Sequence, residues 1–241
     1  MRFIILICVS FMLVTIAYSQ TNSLDCELTK SYTQQTIGTW GSYITKISSE
    51  LEKKPNNDLL FKRMMVRHMY IAHLLFNESE SKEIDTQLEG MNSDLTELEK
   101  KSEYASKCLA FRSAYNAYCA VNSPATALYY LPKSFSFAKD AIAKSPNSPY
   151  SWSEYGNLQY CYALFLGGSF ADAIHSFTKA IELIEKQQKN VACNWYYIHT
   201  LLFLAKSYED NKQYKEANKI YDKILTIAPQ FSAIHRWKHK I

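Results

Sequence analysis

Residues 201–229 read LLFLAKSYEDNKQYKEANKIYDKILTIAP. Large and small side chains recur in this stretch at helical spacing: Leu201, Leu204, Ala205 and Tyr208, then Tyr214, Ala217, Tyr221 and Ile224, with Pro229 at the end. Intervals of three and four residues put each set on one face of a helix. The small residues Ala205 and Ala217 allow two antiparallel helices to approach closely, while Tyr208 and Tyr221 fill the space toward neighbouring pairs. Pro229 cannot continue the second helix and forces a turn. The pattern predicts helices over 194–211 and 213–227.

The same pattern occurs one unit earlier. Pro146 precedes Trp152, Tyr155 and Gly156, and a second helix carries Phe170, Ala173, Phe177 and Ala180. Gly167-Gly168 marks the turn between the two helices. The first helix is about one turn over length, and about ten further residues, Glu185–Asn194, separate the two units. In both units the order large-x2-Leu-small-x2-Tyr, then Ala-x3-aromatic, then Pro resembles the tetratricopeptide repeat (TPR). The resemblance covers residues 146–229. It implies stacked helical hairpins whose first helices line a concave surface. Leu166-Gly167-Gly168, Asn194-Trp195 and Pro229-Gln230-Phe231 further resemble a group of exported bacterial TPR proteins, in the style of the Bacteroidetes.

Upstream the repeat wears down. Ala141 and Pro146 hold second-helix positions, with Ser134 and Ala138 in place of larger residues; Ile84, Leu88 and Met91, and Ile47 with Pro55, are fainter copies. Asn57-Asp58 and Ser123-Pro124 read as helix starts, and Pro132 is expected to break or kink the segment before Lys133. The resulting map places helices at 31–53, 59–77, 81–100, 102–121, 125–144, 150–167, 169–189, 194–211 and 213–227, with a cap from 231. The expected architecture is an all-α, right-handed helical-hairpin solenoid of about four hairpins. It has a degenerate half over 20–145, continuous with the clear units and capping helix over 146–241.

Composition agrees with this class. In 241 residues, 47% hydrophobic and 21% charged, there are only six Gly and six Pro, too few for an all-β sandwich or a linker-rich chain. A net charge of +4 is too mild to suggest nucleic-acid binding. Residues 1–19 carry Arg2, about fifteen apolar residues and a small-x-small pair (Ala17, Ser19), which reads as a secretory leader cleaved near Ser19. The apolar run falls short of the ~20 residues a span requires. The expected location is exported, periplasmic or secreted. Beyond the leader lie Cys26, Cys108, Cys119, Cys161 and Cys193, an odd number that leaves at least one thiol unpaired. Cys108 and Cys119, eleven residues apart on one helix, sit ~16 Å apart and cannot bridge. Cys119 with Cys161 is the pair to test first, set against a role for all five as small buried hydrophobes.

No catalytic constellation emerges. His68 and His73 point to different sides of a helix. His235 and His239 share a face, but Arg236, Lys238 and Lys240 surround them with positive charge that opposes a cation. No phosphate-cradling Gly loop, H-E-x-x-H or G-x-S-x-G is present. The expectation is a protein that is not an enzyme and needs no cofactor or metal. In the register that the resemblance implies, the concave face presents Tyr150, Ser153, Asn157, Tyr160 and Cys161 from one unit. The other contributes His199, Leu202, Lys206, Glu209 and Asp210. Tyr150, Asn157, Tyr160, His199, Lys206 and Glu209 are therefore the candidate partner-binding residues. They suit a peptide or tail of another envelope protein. The alternative is a ligand-binding accessory that encloses a small apolar molecule, for which a cavity of ~300 Å³ or more on the Tyr150–Tyr160 face would speak.

Overall fold

The four hairpins follow from where small residues meet aromatic ones. A computed structural model describes residues 24–238. In the last hairpin, α9 (Trp195–Asp210) and α10 (Tyr214–Ile227) pack antiparallel. Leu201, Ala205, Ala217, Tyr221 and Ile224 are all sealed between them. The Asn194 side chain accepts from the Tyr197 N–H at 2.9 Å and caps α9. Beyond Ala228, Phe231 and Ile234 of the short α11 (Ala233–Trp237) cover the open end of this hairpin.

In the preceding hairpin, α7 (Pro149–Leu166) lies against α8 (Phe170–Gln187). A Cβ on Gly156 would fall 2.8 Å from the Phe177 ring, so the two backbones approach as closely as they do only because that position is glycine. Gly167 ends α7 in the left-handed conformation, φ 76°, where a side chain is unfavourable. The expected repeat units are thus present with their small residues at the close contacts.

Two less regular hairpins precede them: α3 (Asn57–Asn77) with α4 (Glu83–Glu99), and α5 (Ser102–Asn122) with α6 (Ala127–Lys144). Between α3 and α4 the buried Asp94 carboxylate accepts from Arg63 at 2.6 Å and from Arg67 at 3.1 Å, a polar clasp where the clear units use apolar packing. Ser134 donates to the Ser113 carbonyl at 2.9 Å inside the α5–α6 contact, so the serine that weakens the repeat pattern is satisfied. Helices α3, α5, α7 and α9 stack in sequence as an inner layer, with α4, α6, α8 and α10 outside them. No strand occurs among the described residues. This is an all-α helical-hairpin solenoid.

Three expectations are corrected. The helix expected over 31–53 is two: α1, residues 24–33, and α2 (Trp40–Lys53), separated by a turn in which Gln35 has φ 59° and a 3-10 segment, Ile37–Thr39. Ser31 and Thr36 wrap the turn, hydroxyl to hydroxyl at 2.8 Å, and Trp40 Nε1 donates to Ser31 at 2.9 Å. Local side-chain bonds of this kind compete with helix continuation. Pro132 does not break its segment, since α6 runs from 127 to 144 through it. The carbonyl that loses its partner is that of Leu128, a residue 93% exposed, so water can satisfy it. Finally, the disulfide joins Cys26 to Cys193, while Cys108, Cys119 and Cys161 are free thiols, the first two buried.

Candidate binding surfaces

The concave side of the inner helices is lined with rings and carries one buried carboxylate. Glu154 of α7 accepts from the Tyr196 hydroxyl at 2.7 Å and from the Asn157 amide at 3.3 Å, and its Oε1 lies 3.5 Å from His68 Nε2. Burial pushes the Glu154 carboxyl up to about 7 and the His68 imidazole down to about 3. Desolvation therefore outweighs their mutual attraction and favours the neutral forms. Tyr118 of α5 meets His68 Nδ1 at 3.0 Å, which suits a neutral ring with its proton on Nε2 facing Glu154. Phe111, Tyr150 and Tyr196 pack about this group, with ring centroids 5.2–6.4 Å apart.

This face is already occupied. Helix α1 crosses it, with Leu24, Leu28, Thr29, Ser31, Tyr32 and Thr33 all buried. At one end Asp25 pairs with Lys62 of α3 at 2.7 Å, and Cys26 is bonded to Cys193 ahead of α9. At the other, the Tyr32 hydroxyl reaches His199 Nδ1 at 3.0 Å and its ring meets Phe231 edge to face. Trp40 of α2 then meets Trp195 of α9 edge to face, centroids 5.2 Å apart, so the start of the chain touches the last hairpin.

The candidate residues divide accordingly. Tyr150, Asn157 and His199 come together in the ring-lined interior, with the Asn157 carbonyl oxygen buried and unpartnered. Burial pushes Tyr150 up to about 12 and holds His199 near 3, with His68 adding to the latter effect. Tyr160, Lys206 and Glu209 lie farther along α7 and α9. Tyr160 donates to Asp210 at 2.7 Å and packs on Phe203; Lys206 pairs with Glu209 at 3.3 Å and lies over the Trp237 ring; Glu209 also accepts from Tyr221 at 2.7 Å. Glu154 was absent from the candidate set, although it stands four residues after Tyr150 and so shares its helix face. Nothing in the sequence pointed to Tyr32. His235 is exposed on α11, and His239 lies outside the described residues, as do residues 1–19, for which a leader is expected.

Among the described residues two open surfaces carry aromatic or apolar side chains. At the N-terminal ends of α3, α5, α7 and α9 is a cavity of about 630 Å³ walled by Phe61, Tyr104, Tyr150, Trp195 and Tyr196, with Lys62 and Lys107, Asp25 and Asp58 around it and the disulfide at its edge. It meets the size set for a ligand site and includes Tyr150, but Tyr160 does not line it. At the opposite rim, where each inner helix turns into its outer partner, are all nine exposed large hydrophobic residues of the described chain. Leu164, Phe165 and Leu166 stand at the α7–α8 turn with Tyr162 just before them; Val121, Leu128 and Tyr129 stand at the α5–α6 turn; Phe76 and Tyr214 flank them. Residues 113–132 and 155–171, which form the two central turns, contain no charged residue.

These features define a TPR-like helical solenoid whose inner helices are crossed by its own first helix. No protein-family model and no curated protein matches the chain. Among solved structures it is similar to one described as the crystal structure of a thermophilic TPR protein from Thermus thermophilus, with a TM-score of 0.57 and 16% identity, covering 90% of this chain and 96% of that one. The likeness shows the fold. Among the described residues no three His, Cys, Asp or Glu side chains gather as a metal-binding group, and no helix is long and apolar enough to cross a membrane.

Proposed function

We propose that this protein is a non-catalytic interaction scaffold of the cell envelope. The carrying observation is the apolar rim at the α5–α6 and α7–α8 turns, bordered by Lys133 over the Tyr129 ring at 3.7 Å and by Asp85, which accepts from Asn122 at 2.8 Å. Exposed apolar patches with charged surroundings are what protein partners bury, and Glu78, Glu80 and Lys82 at the α3–α4 turn, with Asp210 and Lys212 at the α9–α10 turn, supply such surroundings. The concave face, expected to dock a partner's segment, is crossed instead by residues 24–33 of the chain itself, whose Tyr32 meets His199. A partner from outside the chain meets the rim. An envelope location is supported by the leader-like residues 1–19 and by the Cys26–Cys193 bond, since such bonds persist in oxidising compartments. The test is affinity capture from a native envelope extract with the wild type and with Leu128→Ser/Phe165→Ser. A partner held by the first and lost by the second is the expected result; undiminished capture by the double variant sinks the rim as the docking surface.

A second reading, a ligand-binding accessory, is favoured by one observation: the cavity of about 630 Å³ at the opposite rim lies within the range of small-molecule sites.

A further inference from the structure

We propose that the cavity beside the Cys26–Cys193 bond binds an aromatic carboxylate, with the Lys107 ammonium as its counter-ion. The inference rests on the second reading above and names the chemistry of its ligand.

The walls supply the first half of the specificity. Phe61 and Tyr104 meet with ring centroids 5.5 Å apart, Phe61 and Tyr150 at 5.5 Å, and Tyr150 and Tyr196 at 5.2 Å. Trp195 continues this surface, 5.6 Å from Tyr196. Four inner helices thus contribute their first turns to one aromatic cup. Such a cup favours a flat apolar body, which stacks on it and gains more than an alkyl chain of equal area.

The charges supply the second half. Four ionisable side chains of full charge line the cavity: Asp25, Asp58, Lys62 and Lys107. Asp25 is paired with Lys62 at 2.7 Å, and Asp58 accepts the Tyr104 hydroxyl. Lys107 differs. Among the described residues no carboxylate lies within 4.0 Å of its ammonium, which sits instead over the rings of Tyr104 and Phe61 at 5.0 and 5.4 Å. A cation held against aromatic faces at the lip of a cavity is placed to take an anion whose body rests on the same rings. The helix starts add to this field: α5 and α7 open onto the cavity with no side chain capping their first N–H groups. One unpaired ammonium, with no guanidinium in the cavity, suits a monoanion. A phosphate or other dianion calls for more donors than the lining provides.

The test is titration calorimetry of the disulfide-intact protein with 2-naphthoate, 2-naphthalenemethanol and 2-naphthylmethylammonium as probes. The expected order is naphthoate tightest, the neutral alcohol weaker by about tenfold and the cation weakest. Lys107→Met is expected to lower naphthoate affinity about tenfold while leaving the alcohol unchanged, which also shows that the variant is folded. Lys107→Arg keeps the charge and is expected to restore most of the loss. Equal binding of all three probes would overturn the carboxylate assignment and leave the carrier reading standing. No binding of any probe would overturn both, without touching the docking rim on the other side of the molecule.

Discussion

Tyr32 and His199 stand 167 residues apart in the chain and meet edge to face, hydroxyl to Nδ1 at 3.0 Å, with both side chains buried. The contact spans what would otherwise be an open groove. His199 is held near 3 chiefly by burial, so the imidazole stays neutral and paired with the tyrosine hydroxyl across the whole physiological range.

The Cys26–Cys193 bond keeps α1 in place over this contact. Reducing it, or replacing both residues by serine, is expected to lower stability by about 2–5 kcal/mol, because the bond closes a long loop of the unfolded chain. Denaturant unfolding with and without a reductant measures the difference. Hydrogen exchange should locate the first loss of protection in residues 24–33. Coincident midpoints would show that the bond contributes nothing to the fold.

Gly156 and Ala217 test the register of the two clear units. Gly156→Ala places a methyl group 2.8 Å from the Phe177 ring, and Ala217→Trp overfills the sealed α9–α10 contact. Each is expected to cost about 1–3 kcal/mol. An unchanged melting temperature for either would contradict the close helix approach described.

Glu154 makes stability depend on pH in a direction opposite to that of most carboxylates. Its folded value of about 7 lies above its ordinary 4.5, so the fold favours the protonated form. The stability this provides is complete below pH 4.5 and is lost as pH rises through 7. The loss is on the order of 3 kcal/mol. His68 and His199, lowered from 6.5 to about 3, act the other way: their contribution is complete above pH 6.5 and falls away toward 3. Glu154→Gln is therefore expected to raise stability at pH 8 and to leave the acid limb, set by the histidines, in place. Chemical unfolding at pH 5, 6.5 and 8 separates the two.

At the apolar rim, Leu128→Ser and Phe165→Ser remove exposed side chains. Stability should move by no more than about 0.5 kcal/mol, since neither is part of a core. A larger loss in thermal unfolding would mean that these residues serve the fold rather than a partner.

Most of the fold was legible because the repeat signal depends on neighbours in sequence. Ala205, Ala217 and Gly156 are small where helices cross, and that is written in the local pattern; helices expected at 59–77, 102–121 and 213–227 lie within a few residues of those observed. What escaped depends on distance. Residues 24–33 form a helix whose burial comes from α9 and the final turn, and Tyr32 shows no periodicity that would announce His199. The cysteine pairing failed for the same reason: Cys119 and Cys161 were weighed by local helix position, whereas Cys193 sits in the extra loop that brings it to Cys26. The break expected at Pro132 follows from its own backbone, and the exposure of Leu128 removes the cost. Of the candidate residues, His199 meets Tyr32 of a first helix that was not foreseen, while Tyr150 lines the cavity.

Trp40 against Trp195 joins α2, which precedes the first hairpin, to the last hairpin, and this changes the order in which the molecule can be completed. An open repeat array can gain structure unit by unit, each needing only its neighbour. Here the earliest segment has no finished seat until the latest one arrives, so Cys26 must wait for a residue 167 positions behind it. Oxidation of that pair accordingly records that synthesis has passed Cys193, at the threshold of the final hairpin, and that the first helix has met it. A chain cut short before Cys193 keeps a free Cys26 thiol and lacks the His199 that Tyr32 meets, and is marked as unfinished by the same chemistry that seals the whole.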